Sequence, residues 1–95
     1  MTIVVVFDFP SEPVEKYEKV FELGGTSITD QPQRLHHVCY RTENGFTVVD
    51  VWRDESAFAA FGEVIGPVTA QAGLDARPRV YPVQQIMAQD GRRYR

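Results

Sequence analysis

The segment LHHVCYRTENGFTVVDVW, residues 35–52, decides how this chain folds. It carries two histidines, the single cysteine, a tyrosine, an aspartate and the single tryptophan around an Asn44-Gly45 pair. Runs rich in β-branched and aromatic residues flank that pair and read as strands over 34–43 and 46–53. Asn-Gly between two such runs predicts a two-residue hairpin turn, because a type I′ turn needs positive φ at both central positions.

Counting outward from that turn places Glu43 opposite Phe46, Arg41 opposite Val48, Cys39 opposite Asp50, and His37 opposite Trp52. Facing residues share one side of a sheet and successive residues alternate. One face of the hairpin therefore presents His37, Cys39, Arg41, Phe46, Val48, Asp50 and Trp52. The other presents His36, Val38, Tyr40, Thr42, Thr47, Val49, Val51 and Arg53. The two histidines point apart and cannot share one ion.

The rest of the chain fits around this hairpin. Residues 2–9 form a buried strand that Pro10 stops. Ser11 or Glu12 caps a first helix, with Pro13 in its first turn. Val14, Tyr17, Val20 or Phe21 give that helix an apolar stripe, and Gly24-Gly25 ends it. Residues 26–33 read as a loop. Asp54 caps a second helix whose stripe is Phe58, Phe61, Ile65, Val68 and Ala72. Gly66-Pro67 is expected to interrupt or kink it, since Pro lacks the N–H that bonds back one turn. Gly73 ends it, residues 79–87 form a fourth strand, and 88–95 form a tail. The expected organisation is one domain over 1–87 and a C-terminal tail over 88–95.

The order βαββαβ predicts the α+β ferredoxin-like fold, a four-stranded antiparallel sheet with both helices on one face. A sheet whose second face met water would alternate apolar and polar residues. Ile3-Val4-Val5-Val6-Phe7 and Val48-Val49 with Val51-Trp52 are apolar on both sides. The economical cover is a second copy of the same sheet, a homodimer through the sheet face.

Bulk properties narrow the function. The 95 residues are 43% hydrophobic and 24% charged, as in ordinary globular domains. A net charge of −3 argues against nucleic acid as partner. The basic end Arg92-Arg93-Tyr94-Arg95 reads as a solvated tail. One cysteine excludes an internal disulfide. The apolar start reaches Asp8 too soon for a membrane span and lacks a signal-peptide pattern, so a cytoplasmic location is expected.

The residues GFTVVDVWRDESAFAAF (45–61), with LHHVCYR (35–41) and VYPV (80–83), resemble the dimeric α/β-barrel superfamily. More narrowly, they are similar to antibiotic-biosynthesis-monooxygenase-like (ABM) domains. That resemblance implies two sheets packed face to face in a dimer. Haem-degrading relatives use an Asn on the first strand, a Trp ending the third, and a His on the second helix. Trp52 matches the Trp, but residues 55–73 contain no His and the first strand offers Asp8. Cofactor-free relatives that oxidise phenolic polyketides use an Asn where Val48 stands here.

The resemblance and the mixed hairpin face together predict an apolar pocket between sheet and helices. His37 would be the base and Asp50 its orienter. Arg41 would stabilise negative charge and Trp52 would wall an aromatic substrate, with Cys39 and Phe46 lining the pocket. The implied activity is a cofactor-independent monooxygenase acting on a small aromatic or polyketide-like compound. No cofactor or metal is called for, because His37, Cys39 and Asp50 at strand spacing make a poor ligand set. Plain structural readings stand beside these. Trp52 can be core under the second helix, Asp50 can pair with Arg41, and Cys39 can be a small core residue. The alternative function is a non-catalytic module that binds a small ligand or only dimerises.

Overall fold

The computed structural model describes residues 1–94. Strand β1 spans Ile3–Phe9, helix α1 Glu15–Gly24, the single-turn α2 Thr26–Thr29, β2 Arg34–Arg41, β3 Phe46–Trp52 and α3 Glu55–Gln71. Strand β4 spans Arg79–Pro82, β5 Ile86–Met87 and β6 Arg93–Tyr94. The main sheet is antiparallel throughout, in the order β2-β3-β1-β4. This is the expected ferredoxin-like α+β architecture.

The period of two sorts the strands as the sequence implies. Ile3, Val5, Phe7 and Phe9 of β1 are buried, as are Phe46, Val48, Asp50 and Trp52 of β3. They pack with Val20 of α1, Ile28 of α2 and Phe61 of α3 in one core, so the helices cover this face. The opposite face carries Val38 and Tyr40, which remain 55% and 50% exposed, and Tyr81 on β4. Among the described residues, Tyr94 of β6 reaches this face, its hydroxyl 2.9 Å from His36 Nε2, while Val4, Val6, Val49 and Val51 of the two central strands are half-buried.

The hairpin register differs from the two-residue turn. Arg41 pairs with Phe46, Cys39 with Val48 and His37 with Asp50, which leaves Thr42 to Gly45 as a four-residue loop. Gly45 does not adopt positive φ. Its glycine is required for another reason: a Cβ there would lie 2.0 Å from the carbonyl oxygen of Phe9. The loop thus folds against the end of β1, and the close approach sets the register. The shift is two residues, an even number, so both faces keep their members.

Other local expectations are corrected too. Helix α1 begins after Val14 without a side-chain cap, so neither Ser11 nor Glu12 serves. Residues 26–29 are a helical turn rather than loop. Helix α3 runs unbroken through Pro67. Glu63, whose carbonyl loses its partner there, is exposed to water, as are Gly66 and Pro67. Thr69 Oγ1 also donates to the carbonyls of Ile65 and Gly66 at 3.0 Å in the same turn. The Asp54 cap is as expected, its Oδ1 accepting the Ala57 N–H at 2.8 Å. Gly73, at φ 79°, closes the helix with paired bonds, Leu74 N to Thr69 O and Gly73 N to Ala70 O. The fourth strand is shorter than 79–87. It stops at Pro82, and Ile86–Met87 instead pairs with Arg93–Tyr94. Arg95, the last residue of the expected tail, lies outside the described residues.

Candidate active site

Asp50 stands in the middle of an apolar sheet face and is 3% exposed. A buried carboxylate is costly unless it is paired and hydrogen-bonded. The register places His37 directly across from it, and His37 Nδ1 lies 2.5 Å from Asp50 Oδ1. On the other side of the imidazole, the Tyr17 hydroxyl lies 2.7 Å from His37 Nε2. The Tyr17 and His37 rings are nearly parallel, with an interplanar angle of 14°.

The chemistry of the three groups orders the protons. Burial, reinforced by the nearby Cys39, Glu18 and Asp50 and opposed by Arg34, pushes the Tyr17 hydroxyl up to about 12. Tyr17 is therefore a neutral phenol near pH 7, and its O–H donates to Nε2. The Nδ1–H then donates to the Asp50 carboxylate, which can only accept. The result is a Tyr17–His37–Asp50 hydrogen-bonded chain, with the imidazole Nδ1 on the carboxylate and Nε2 on the phenol.

These three residues line a cleft of about 60 Å³ between the sheet and the helices. Its walls are mostly aliphatic and aromatic, with Phe7, Phe9, Phe46 and Val48 from the sheet and Tyr17 and Phe21 from α1. His37, Asp50 and Arg34 are its charged or titratable groups besides Tyr17.

Of the residues expected to form the site, His37, Asp50 and Phe46 meet at this cleft. Cys39 does not line it; the residue packs half-buried against the core, and burial together with Glu18 pushes its thiol up. Trp52 is fully buried beneath α3, with ring centroids 4.9 Å from Phe61 and 6.0 Å from Phe58. Its indole Nε1 has no hydrogen-bond partner among the described residues. Arg41 is exposed beside the hairpin loop, opposite Phe46. The corrected register removes it from the diagonal of Asp50 and moves His37 from the other diagonal to directly across from it. Among the described residues, no three His, Cys, Asp or Glu side chains are grouped to hold a metal ion.

Two cleft residues escaped the sequence reading. Tyr17 was legible only as one position of a helical stripe; a phenol in that stripe was the available signal, since a buried hydroxyl seeks a partner. Arg34 had no signal. Simple alternation from His37 would turn it to the open face, but a register irregularity between Arg34 and His36 places it opposite Trp52 on the cleft side.

Solved structures with the same fold include SnoaB, a cofactor-independent oxygenase from Streptomyces nogalater. It is 23% identical over 93% of this chain and 96% of its own, with a TM-score of 0.62. A conserved protein from Methanosarcina mazei is 17% identical over 85% of this chain and 91% of its own, with a TM-score of 0.60. A Caulobacter crescentus protein, provisionally described as an antibiotic biosynthesis monooxygenase, is 20% identical over 84% of this chain and 85% of its own (TM-score 0.58). No protein-family profile and no curated protein matches the sequence. The chain thus shares the ferredoxin-like fold of these structures. At these identities the likeness is one of fold.

Proposed function

We propose that this chain is a cofactor-independent monooxygenase for a small aromatic or polyketide-like compound, acting in the cytoplasm as a homodimer through its open sheet face. The observation that carries this reading is the Tyr17–His37–Asp50 chain at an aromatic cleft. His37 Nε2 is held by Asp50 in the tautomer a general base needs. A substrate hydroxyl entering the cleft replaces the Tyr17 hydroxyl at Nε2 and gives up its proton there. The resulting anion is electron-rich, and molecular oxygen is the oxidant. One oxygen atom enters a ring carbon in place of its hydrogen, and the other leaves as water with that hydrogen and the hydroxyl proton held on His37, giving a quinone-type product. The protein binds, deprotonates and excludes bulk water. Phe46 walls the site, while Trp52 and Cys39 support it from behind.

The dimer reading is supported by exposed apolar residues on the open sheet face, Val38 and Tyr40 on edge strand β2 and Tyr81 on edge strand β4. The 1–87 domain would supply that face.

A non-catalytic ligand-binding module is the second reading. It is favoured by the size of the cleft, about 60 Å³, against the ~150 Å³ of an apolar cavity that holds benzene. Oxygen uptake on a panel of phenols and anthrone-type compounds separates the two. The enzyme reading expects uptake without added metal or flavin and its loss in His37→Ala. Stabilisation by a ligand with no uptake across the panel leaves only the binding module.

A further inference from the structure

We propose that the cleft selects a one-ring hydroxyaromatic acid, with the Arg34 guanidinium holding the ligand's carboxylate while His37 takes its ring hydroxyl. The role of His37 rests on the functional reading above; the role of Arg34 does not.

The first observation is an unanswered cation. Arg34 lines the cleft, half-buried, with its guanidinium carbon 5.9 Å from the Trp52 ring centroid and 5.7 Å from that of Phe61. Its one side-chain hydrogen bond among the described residues goes from Nη2 to the Ile28 carbonyl at 3.0 Å. None of the ion pairs formed among the described residues includes it. The other charged group of the cleft, Asp50, is taken by His37. A guanidinium stays charged in proteins and offers five N–H donors in a planar fork. A charged fork that no acid of the cleft pairs with, set among apolar walls, matches an anionic ligand, and a carboxylate fits the fork two oxygens at a time.

Spacing supplies the second observation. His37 faces Asp50 and Arg34 faces Trp52, the next pair on the same side of the sheet. Two residues along a strand span ~7 Å. That is the reach of one benzene ring carrying a hydroxyl at one end and a carboxylate at the other. The third observation is the Tyr17 phenol, already seated at Nε2 with its ring beside the imidazole. It has the shape of the proposed ligand's hydroxyl end. Its withdrawal would free the volume of one ring, which the small cleft otherwise lacks. A fused polycyclic compound would need far more room.

The test is calorimetric titration of the full chain with 4-hydroxybenzoate and with its methyl ester, in the absence of oxygen so that no turnover intervenes. The acid is expected to bind at least about tenfold more tightly than the ester, the scale of one charge-assisted pair. Arg34→Gln should abolish that preference, and Arg34→Lys should retain part of it. Equal binding of acid and ester by the unaltered chain, no binding of either, or an undiminished preference in a folded Arg34→Gln would each overturn the proposal. The comparison in the unaltered chain needs no variant to fold. Absence of oxygen uptake would sink the oxygenase reading while leaving the acid-to-ester ratio intact, so the two fail separately.

Discussion

His37 and Asp50 face each other across the β2–β3 ladder, and the imidazole Nδ1 lies 2.5 Å from a carboxylate that is almost wholly buried. Each group answers a need of the other. The carboxylate gains a partner in an apolar layer, and the imidazole gains a fixed tautomer.

The two groups should therefore behave as a coupled pair. His37→Ala leaves Asp50 buried without a donor and is expected to lose about 2 kcal/mol, at the low end for a broken buried pair because the imidazole is partly exposed. The double change His37→Ala/Asp50→Leu should cost less than the sum of the two single changes. Urea denaturation of the four proteins measures this. Strictly additive losses would show that the pair is not coupled.

Tyr17 makes a prediction in the alkaline range. Its hydroxyl is pushed up to about 12 in the folded chain, against about 10 in an unfolded one. Between these values the unfolded chain releases a proton that the folded chain keeps. Stability from this group is thus whole below pH ~10 and declines as pH rises toward 12. Tyr17→Phe should remove that part of the decline. Denaturation midpoints of both proteins across this window test it; an identical decline would contradict the assignment.

Two glycines should respond in opposite directions. Gly45→Ala forces a Cβ to within 2.0 Å of the Phe9 carbonyl oxygen, a backbone atom that cannot step aside. A loss of about 2–3 kcal/mol is expected, in the range of overpacked sites. Gly62 lies within α3 with open space where its Cβ would be. Gly62→Ala should stabilise by roughly 0.5–1 kcal/mol through helix propensity. Thermal unfolding of both variants reads the signs directly.

The sheet face gives a prediction about assembly. A lysine at Val38, which is 55% exposed on the uncovered face, should convert a dimer to a monomer while leaving the far-ultraviolet spectrum intact. Light scattering would then fall from twice 10.8 kDa to 10.8 kDa. A monomer in the unaltered chain at micromolar concentration would remove the dimer reading.

The sequence by itself determined the order of elements, the caps at Asp54 and Gly73, and which hairpin residues share a side. These are local properties. Caps act within one turn, and strand alternation has a period of two, so even a two-residue error in register left every side chain of 36–41 and 46–52 on its expected face. Only the tertiary structure decided who meets whom. The approach of Gly45 to Phe9 set the register and so put His37, rather than Cys39, directly across from Asp50. Packing of α1 on the sheet brought the Tyr17 hydroxyl to Nε2, and the irregularity before His36 turned Arg34 inward. Such contacts depend on backbone meeting backbone across distant parts of the chain, and no periodicity along the sequence encodes them.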